Sequence, residues 1–291
     1  RNFLKFNPRD PQWPDRDRFV LSAGHASMLL YSLLYLTGYD LSLDDIKHFR
    51  QWESLTPGHP EHGLTPGVET PTGPLGQGIG NAVGMAIAEA HLAAVFNRPG
   101  HEIVNHYTYC IASDGDMMEG VSHEACALAG HLRLHKLVVI YDDNKVMLSG
   151  PTSYAMSEDV GTRFEAYGWY VQRIDGMDRK QVQDALDNAS QERERPCFID
   201  ARTHIGFASP LQDSYKAHGS PLGVENVAKT KQNLGWPWQD PFHVPQEALD
   251  HMRQAVQKGQ QAQQDWQQRF SAYAAAFPDL AAQWTEMLSG A

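Results

Sequence analysis

Unbroken apolar runs alternate with helix-period segments along most of this chain. Tyr107-Thr108-Tyr109-Cys110-Ile111-Ala112 and Leu137-Val138-Val139-Ile140-Tyr141 carry no polar alternation, the pattern of strands covered on both faces of a parallel sheet. Phe19-Val20-Leu21-Ser22, Tyr170-Val171-Gln172-Arg173-Ile174 and Cys197-Phe198-Ile199-Asp200-Ala201 read as further strands. Helices are expected from Met28 to Leu36, from Gly78 to Phe96 in an Ala-rich stretch, through Ala125, Leu128 and Ala129, and from near Arg179 to Glu192. Such alternation predicts an α/β fold, a parallel sheet with helices on both faces. From Ser209 to Pro245 the periodicity disappears among Gly219, Gly223, Gly235 and several prolines, and an irregular stretch of that length in a compact domain is usually functional. The tail from Gln246 to Met287 reads as helical and rich in Gln. The expected division is an α/β domain over residues 1–245 and a helical extension over 246–291 leading into a linker.

The ends of the two central strands carry the candidate chemistry. The first ends in Ser113-Asp114-Gly115 and the second in Asp142-Asp143-Asn144. In an open α/β sheet, ligands collect beyond the carboxyl ends of the strands, so Asp114 and Asn144 would face one crevice. A carboxylate and a carboxamide are hard oxygen ligands, suited to Mg²⁺ or Ca²⁺ rather than zinc, and Mg²⁺ usually shares its shell with phosphate oxygens. Gly115 would let a backbone N–H approach an anion. Two plainer readings compete. Asp-Gly is a common turn dipeptide, and Asp114, Asp116 and Glu119 crowd one loop as in an EF-hand. The EF-hand fails because its twelfth position, which needs a bidentate Glu, is Ala125.

Composition narrows the partners. A chain of 291 residues with 42% hydrophobic content can bury a substantial core. A net charge of −11 argues against a nucleic-acid partner, so any phosphate must be held locally. Cys110, Cys126 and Cys197 form no CxxC pair and read as packing residues of a reducing compartment. With no run of 18 apolar residues and no signal-peptide pattern, the expectation is a soluble, cytoplasmic chain without a membrane partner. The start at Arg1-Asn2-Phe3, lacking Met, leads to the expectation of a trimmed polypeptide.

Four more segments join the Asp114 unit: Ser22-Ala23-Gly24-His25-Ala26, Thr56-Pro57-Gly58-His59-Pro60-Glu61, Thr72-Gly73-Pro74-Leu75-Gly76-Gln77-Gly78 and His218-Gly219-Ser220-Pro221-Leu222. Singly they are unspecific, since a lone histidine is more often structural and Gly-Pro-Leu-Gly passes for a turn. A dinucleotide fingerprint is excluded, because Gly76-Gln77-Gly78 would need glycine at the position of Asn81. In this order and spacing, with Phe164-Glu165-Ala166-Tyr167-Gly168-Trp169 downstream, the chain resembles the amino-terminal, diphosphate-binding domain of bacterial-type transketolases, including their thiamine diphosphate motif of Asp-Gly followed by Asn.

The resemblance implies transfer of a two-carbon glycolaldehyde unit from a ketose phosphate to an aldose phosphate, in the pentose phosphate pathway, with the hard chemistry supplied by thiamine diphosphate. It implies Asp114, Asn144 and the Val146 carbonyl as ligands of Mg²⁺ or Ca²⁺, Gly115 against the diphosphate, and the backbone of Gly73, Pro74 and Leu75 beside the aminopyrimidine. His25, His59 and His218 would surround the reacting atoms, imidazole being suited to proton transfer near neutral pH. Glu119 is either part of a carboxylate link between paired sites or a solvated helix-start acid. Departures from the family pattern are Ser113 for a glycine, Ala23 for an asparagine, Tyr215 for a histidine, and a segment before His218 one residue shorter. The resemblance also implies a homodimer, and partner pyrimidine-binding and C-terminal domains that supply the glutamate activating the aminopyrimidine. A non-catalytic fragment or degenerate homologue that folds and associates without turnover is the alternative.

Overall fold

The computed structural model describes residues 3–290. In chain order the elements are β1 (Arg18–Leu21), α1 (Ser27–Thr37), α2 (Leu43–Lys47), α3 (Gln77–Phe96), β2 (Thr108–Ser113), α4 (Asp114–Met118), α5 (Gly120–His131), β3 (Leu137–Asp143), β4 (Val146–Met147), β5 (Gly150–Pro151), α6 (Val160–Ala166), β6 (Tyr170–Asp175), α7 (Arg179–Gln191), β7 (Cys197–Arg202), α8 (Val224–Asn233), α9 (Gln246–Ala276) and α10 (Pro278–Ser289). Five strands make one sheet in the order β1-β2-β3-β7-β6, every pairing parallel. β4 and β5 form a separate antiparallel hairpin.

The apolar runs are continuous because each strand feeds two cores. On one face Val20, Cys110, Ala112, Val139, Tyr141 and Phe198 pack with Ile79, Ala82, Cys126 and Phe164 from α3, α5 and α6. On the other, Tyr109, Val138 and Ile199 meet Ala185 and Ala189 of α7, while Leu21 meets Leu30 and Leu34 of α1. The period-two alternation of a strand therefore divides apolar side chains between two helical layers instead of between core and solvent. α3 is long and apolar enough to cross a bilayer by composition alone, but its buried side here packs on the sheet and on α5. The three cysteines are free and buried, as packing residues would be.

The start of α3 is jammed against the end of β1. A Cβ on Gly78 would lie 2.4 Å from Ser22 Cα, closer than any side-chain carbon approaches a backbone atom, so only glycine permits the approach. This brings the Thr72–Gly78 segment to the carboxyl end of the sheet.

One expectation needs correction. The stretch 209–245 is not wholly irregular, since it contains α8; no residue of α8 is buried, and a helix without a core-facing stripe leaves little periodicity to read. The tail is helical as expected, in two helices that break at Phe277. Pro278 lacks the N–H that would continue α9, and the residue before it, Phe277, leaves helical geometry at φ −136° and ψ 65°. α9 and α10 turn back onto the chain, with Trp266, Tyr273 and Trp284 packing around Trp13, Phe96, Ile103 and Val104. Trp266 Nε1 donates to Ile103 O at 2.8 Å, and Gln263 Nε2 donates to Asp10 at 2.6 Å. The hairpin of β4 and β5 and the short α4 are elements of two to five residues, below what periodicity resolves.

Candidate cofactor and metal site

Asp114 opens α4 directly beyond β2, and Asn144 follows β3, so parallel pairing of these neighbouring strands brings both to one end of the sheet. Tyr141 Oη donates to Asp114 Oδ1 at 2.6 Å, while Asp114 Oδ2 is buried without a hydrogen-bond partner. Burial pushes the Asp114 carboxyl up to about 6, against the Tyr141 hydrogen bond, with nearby Asp143 adding to the rise. Asn144 is buried and held at both ends: its Nδ2 donates to Asp142 Oδ2 at 3.0 Å, and its Oδ1 accepts the Val146 N–H at 3.0 Å. Between them Lys145 adopts a left-handed φ of 64° and pairs with Asp143 at 2.8 Å. The turn carries Val146 into β4, which lies against α4.

This donor set fits a hard cation. An orphaned buried carboxylate oxygen is costly unless something positive meets it. The surrounding carboxylates raise the negative potential there, and the oxygens on offer are carboxylate, carboxamide and carbonyl. Among the described residues no group of three or more His, Cys, Asp or Glu side chains is arranged to hold a metal, so a site at this position would rest on a single carboxylate with amide and carbonyl oxygens.

The histidines come from three loops. His25 lies in a single 3₁₀ turn after β1, and His218 follows another in the irregular stretch. Their rings stack with centroids 5.2 Å apart and planes inclined by 21°. Burial and the neighbouring His218 hold His25 below its ordinary value, although Asp116 pulls the other way, and burial lowers His218 also. Both imidazoles are thereby biased to the neutral form, able to accept as well as give a proton. His218 Nδ1 is buried without a partner. His59 reaches the same place through Gly73, where a Cβ would sit 3.4 Å from the His59 ring, and a Cβ on Gly24 would lie 2.8 Å from Gly73 N. The structure therefore gathers His25, His59, His218 and Gly73.

Leu75 lies against Gly115, whose Cβ would fall 2.7 Å from Leu75 Cδ1, and Pro74 is exposed beside it. Glu119 is exposed at the start of α5, against Gly76. The sequence alone offers Asp116 only as an EF-hand candidate. It is fully buried and accepts hydrogen bonds from Ser22, Gly76 and Ser113. The available signal was the pair Ser113 and Asp116, a serine three residues before an acid at a helix start.

The family profile described as "Transketolase, thiamine diphosphate binding domain" matches residues 1–291. The chain belongs to this transketolase family. It is 55% identical over 291 residues to transketolase 2 of Escherichia coli K12, covering 99% of this chain and 43% of that protein. It is 51% identical over 290 residues to transketolase of Halalkalibacterium halodurans, again covering 99% and 43%. Among solved structures, transketolase of Pichia stipitis in complex with sedoheptulose-7-phosphate superposes with a TM-score of 0.96 at 44% identity, over 99% of this chain and 43% of that one. Transketolase of Leishmania mexicana gives 0.95 at 47% identity, over 97% and 42%. The chain thus spans less than half the length of these transketolases, and the α/β sheet expected from its strands is the transketolase fold of that part.

Proposed function

We propose that this chain supplies the diphosphate and metal half of a transketolase site, in an enzyme that moves a two-carbon unit from a ketose phosphate to an aldose phosphate. The observation that carries the reading is the unpartnered, buried Asp114 Oδ2 beside the Asn144–Val146 turn. Asp114 Oδ2, Asn144 Oδ1 and the Val146 carbonyl would hold Mg²⁺ or Ca²⁺, with Gly115 against the diphosphate. Gly73, Pro74 and Leu75 would flank the aminopyrimidine. Thiamine diphosphate, when bound, supplies the carbon centre at which the two-carbon unit is carried. His25, His59 and His218 would then position and move protons at the substrate hydroxyls and carbonyl, work for which neutral imidazoles are suited.

The assembly belongs to the same reading. α1 leaves Leu29 and Leu33 exposed, and α5 leaves Val121 and Leu128 exposed, with Leu132 exposed just past its end and Val121 beside Gly76 at the site. Apolar side chains in that position favour a homodimer whose site lies at the subunit boundary, where Glu119 would take part in a carboxylate link. Further domains of the same enzyme would cover the aminopyrimidine, the helical extension over 246–291 leading toward them, and the setting would be the cytoplasm and the pentose phosphate pathway.

The test is a coupled assay with xylulose 5-phosphate and ribose 5-phosphate, run on residues 1–291 and repeated with a separately expressed remainder built on a full-length relative. The expected result is no turnover by this chain alone and turnover on addition of the remainder. Failure of rescue, with both parts folded, would favour a non-catalytic homologue, and turnover by the chain alone would contradict a shared site.

A further inference from the structure

Asp116 has no place in the proposed metal set, yet three separate segments converge on its carboxylate. Oδ1 accepts Ser22 Oγ–H at 2.7 Å and Gly76 N–H at 2.7 Å, and Oδ2 accepts Ser113 N–H at 2.8 Å and Ser113 Oγ–H at 2.9 Å. Ser22 Oγ in turn accepts the Ile79 N–H at 3.1 Å, which leaves its one proton for the carboxylate. Ser22 lies three residues before His25, Gly76 directly after Leu75, and Ser113 directly before Asp114.

We infer that Asp116 is a positioning residue for the cofactor, an acceptor-only node that fixes the His25, Gly73–Leu75 and Asp114 segments relative to one another before thiamine diphosphate and metal arrive. The inference rests on the cofactor reading given above. A helix-start acid that merely caps α4 would need Ser113 alone, as Asp45 at the start of α2 needs only Ser42. The bonds from Ser22 and Gly76 instead cross to segments 94 and 40 residues distant in sequence. Asp116 makes no ion pair among the described residues, so all of its hydrogen bonds come from neutral donors, and each of these would be left unsatisfied by its loss. The close approach of Gly78 to Ser22 leaves the joint no room to relax by sliding.

Asparagine separates these roles because it matches the carboxylate in shape but carries an NH₂ on one side. Whichever way it turns, that NH₂ faces either the Gly76 and Ser22 donors or both donors of Ser113. One segment must therefore move, and the cradle opens while the apolar cores remain. Loss of such a supporting partner typically weakens binding about 10–100-fold.

The experiment is calorimetric titration of thiamine diphosphate with Mg²⁺ into the chain and its Asp116→Asn, Ser22→Ala and Asp45→Asn variants, with circular dichroism to confirm folding. The expected result is a Kd raised about 10–100-fold for Asp116→Asn, a smaller rise for Ser22→Ala, and no change for Asp45→Asn. An Asp116→Asn variant that is folded and binds with unchanged Kd would overturn the inference, leaving Asp116 a cap. If that variant does not fold, Ser22→Ala decides: an unchanged Kd overturns the inference. Absence of binding by the unsubstituted chain would instead refute the cofactor reading, and the inference with it.

Discussion

Tyr141 Oη donates to Asp114 Oδ1 at 2.6 Å, and this bond determines which oxygen of Asp114 is left unpaired. The phenol comes from the face of β3 that packs into the α3, α5 and α6 core, so its position is set by the same burial that makes the strand apolar. Oδ2 is left buried and unpaired, and the Asn144 turn stands at the end of the strand that carries Tyr141.

The first prediction follows from that orphaned oxygen. A ligand that binds only the folded state stabilises it by mass action, about 3 kcal/mol at a hundredfold excess over Kd. Thiamine diphosphate with Mg²⁺ should therefore raise the Tm of the chain by several degrees. Asp114→Ala should abolish the increment, whereas Glu61→Ala, in the His59 loop but outside the proposed metal set, should retain it. Differential scanning fluorimetry reads both; an increment preserved in Asp114→Ala would remove Asp114 from the site.

A second prediction concerns the metal-free chain and pH. The folded-state value of Asp114, about 6, lies above the ordinary 3.8. Below the lower value both folded and unfolded states are protonated; between the two, the unfolded state ionises first, so the folded state loses stability as pH rises, and above about 6 the loss is complete. Asp114→Asn removes that loss. Urea unfolding should show the variant gaining on the unsubstituted chain between pH 4 and pH 7, by on the order of 2–3 kcal/mol. Asp17 and Asp200 are also pushed up to about 6 by burial, but they contribute equally to both proteins and cancel in the difference. A gap independent of pH would show that Asp114 is not a strained buried carboxyl.

The stacking of His218 on His25 leads to a third prediction. In the assembled enzyme, His218→Ala should lower turnover about a hundredfold or more, the scale of a lost acid–base group. Cofactor affinity should change little, because the proposed metal and diphosphate positions lie at Asp114, Gly115 and Asn144. Steady-state kinetics with varied cofactor separates the two quantities. Full activity would mean that the irregular stretch does not reach the chemistry.

The centre of the sheet was legible because β2 and β3 are apolar over most of their length, a pattern that burial on both faces imposes, whereas the edge strand β6 carries Gln172, Arg173 and Asp175 and shows it less cleanly. Strand ends at Asp114 and Asn144 were legible for the same reason, and in a parallel sheet strand ends locate the crevice. What escaped had no periodic signature. α8 buries nothing, the β4–β5 hairpin is too short to alternate, and the interruption at Phe277 hung on one proline in an otherwise helical run. The stacking of His25 on His218 joins residues 193 positions apart, and no local pattern encodes it. Asp116 was hidden differently: its acceptors are filled by backbone and serine donors, so only the folded chain shows what it binds.

The most direct measurement is a crystal structure of this chain with thiamine diphosphate and Ca²⁺, the ion's anomalous signal marking its position. The account predicts one ion beyond the carboxyl ends of β2 and β3, with Asp114 Oδ2, Asn144 Oδ1 and the Val146 carbonyl each at about 2.3–2.6 Å. The remaining oxygens would come from the diphosphate and water, with Gly115 alongside. An ion bound without Asp114 and Asn144, or a diphosphate seated away from Gly115, would contradict it.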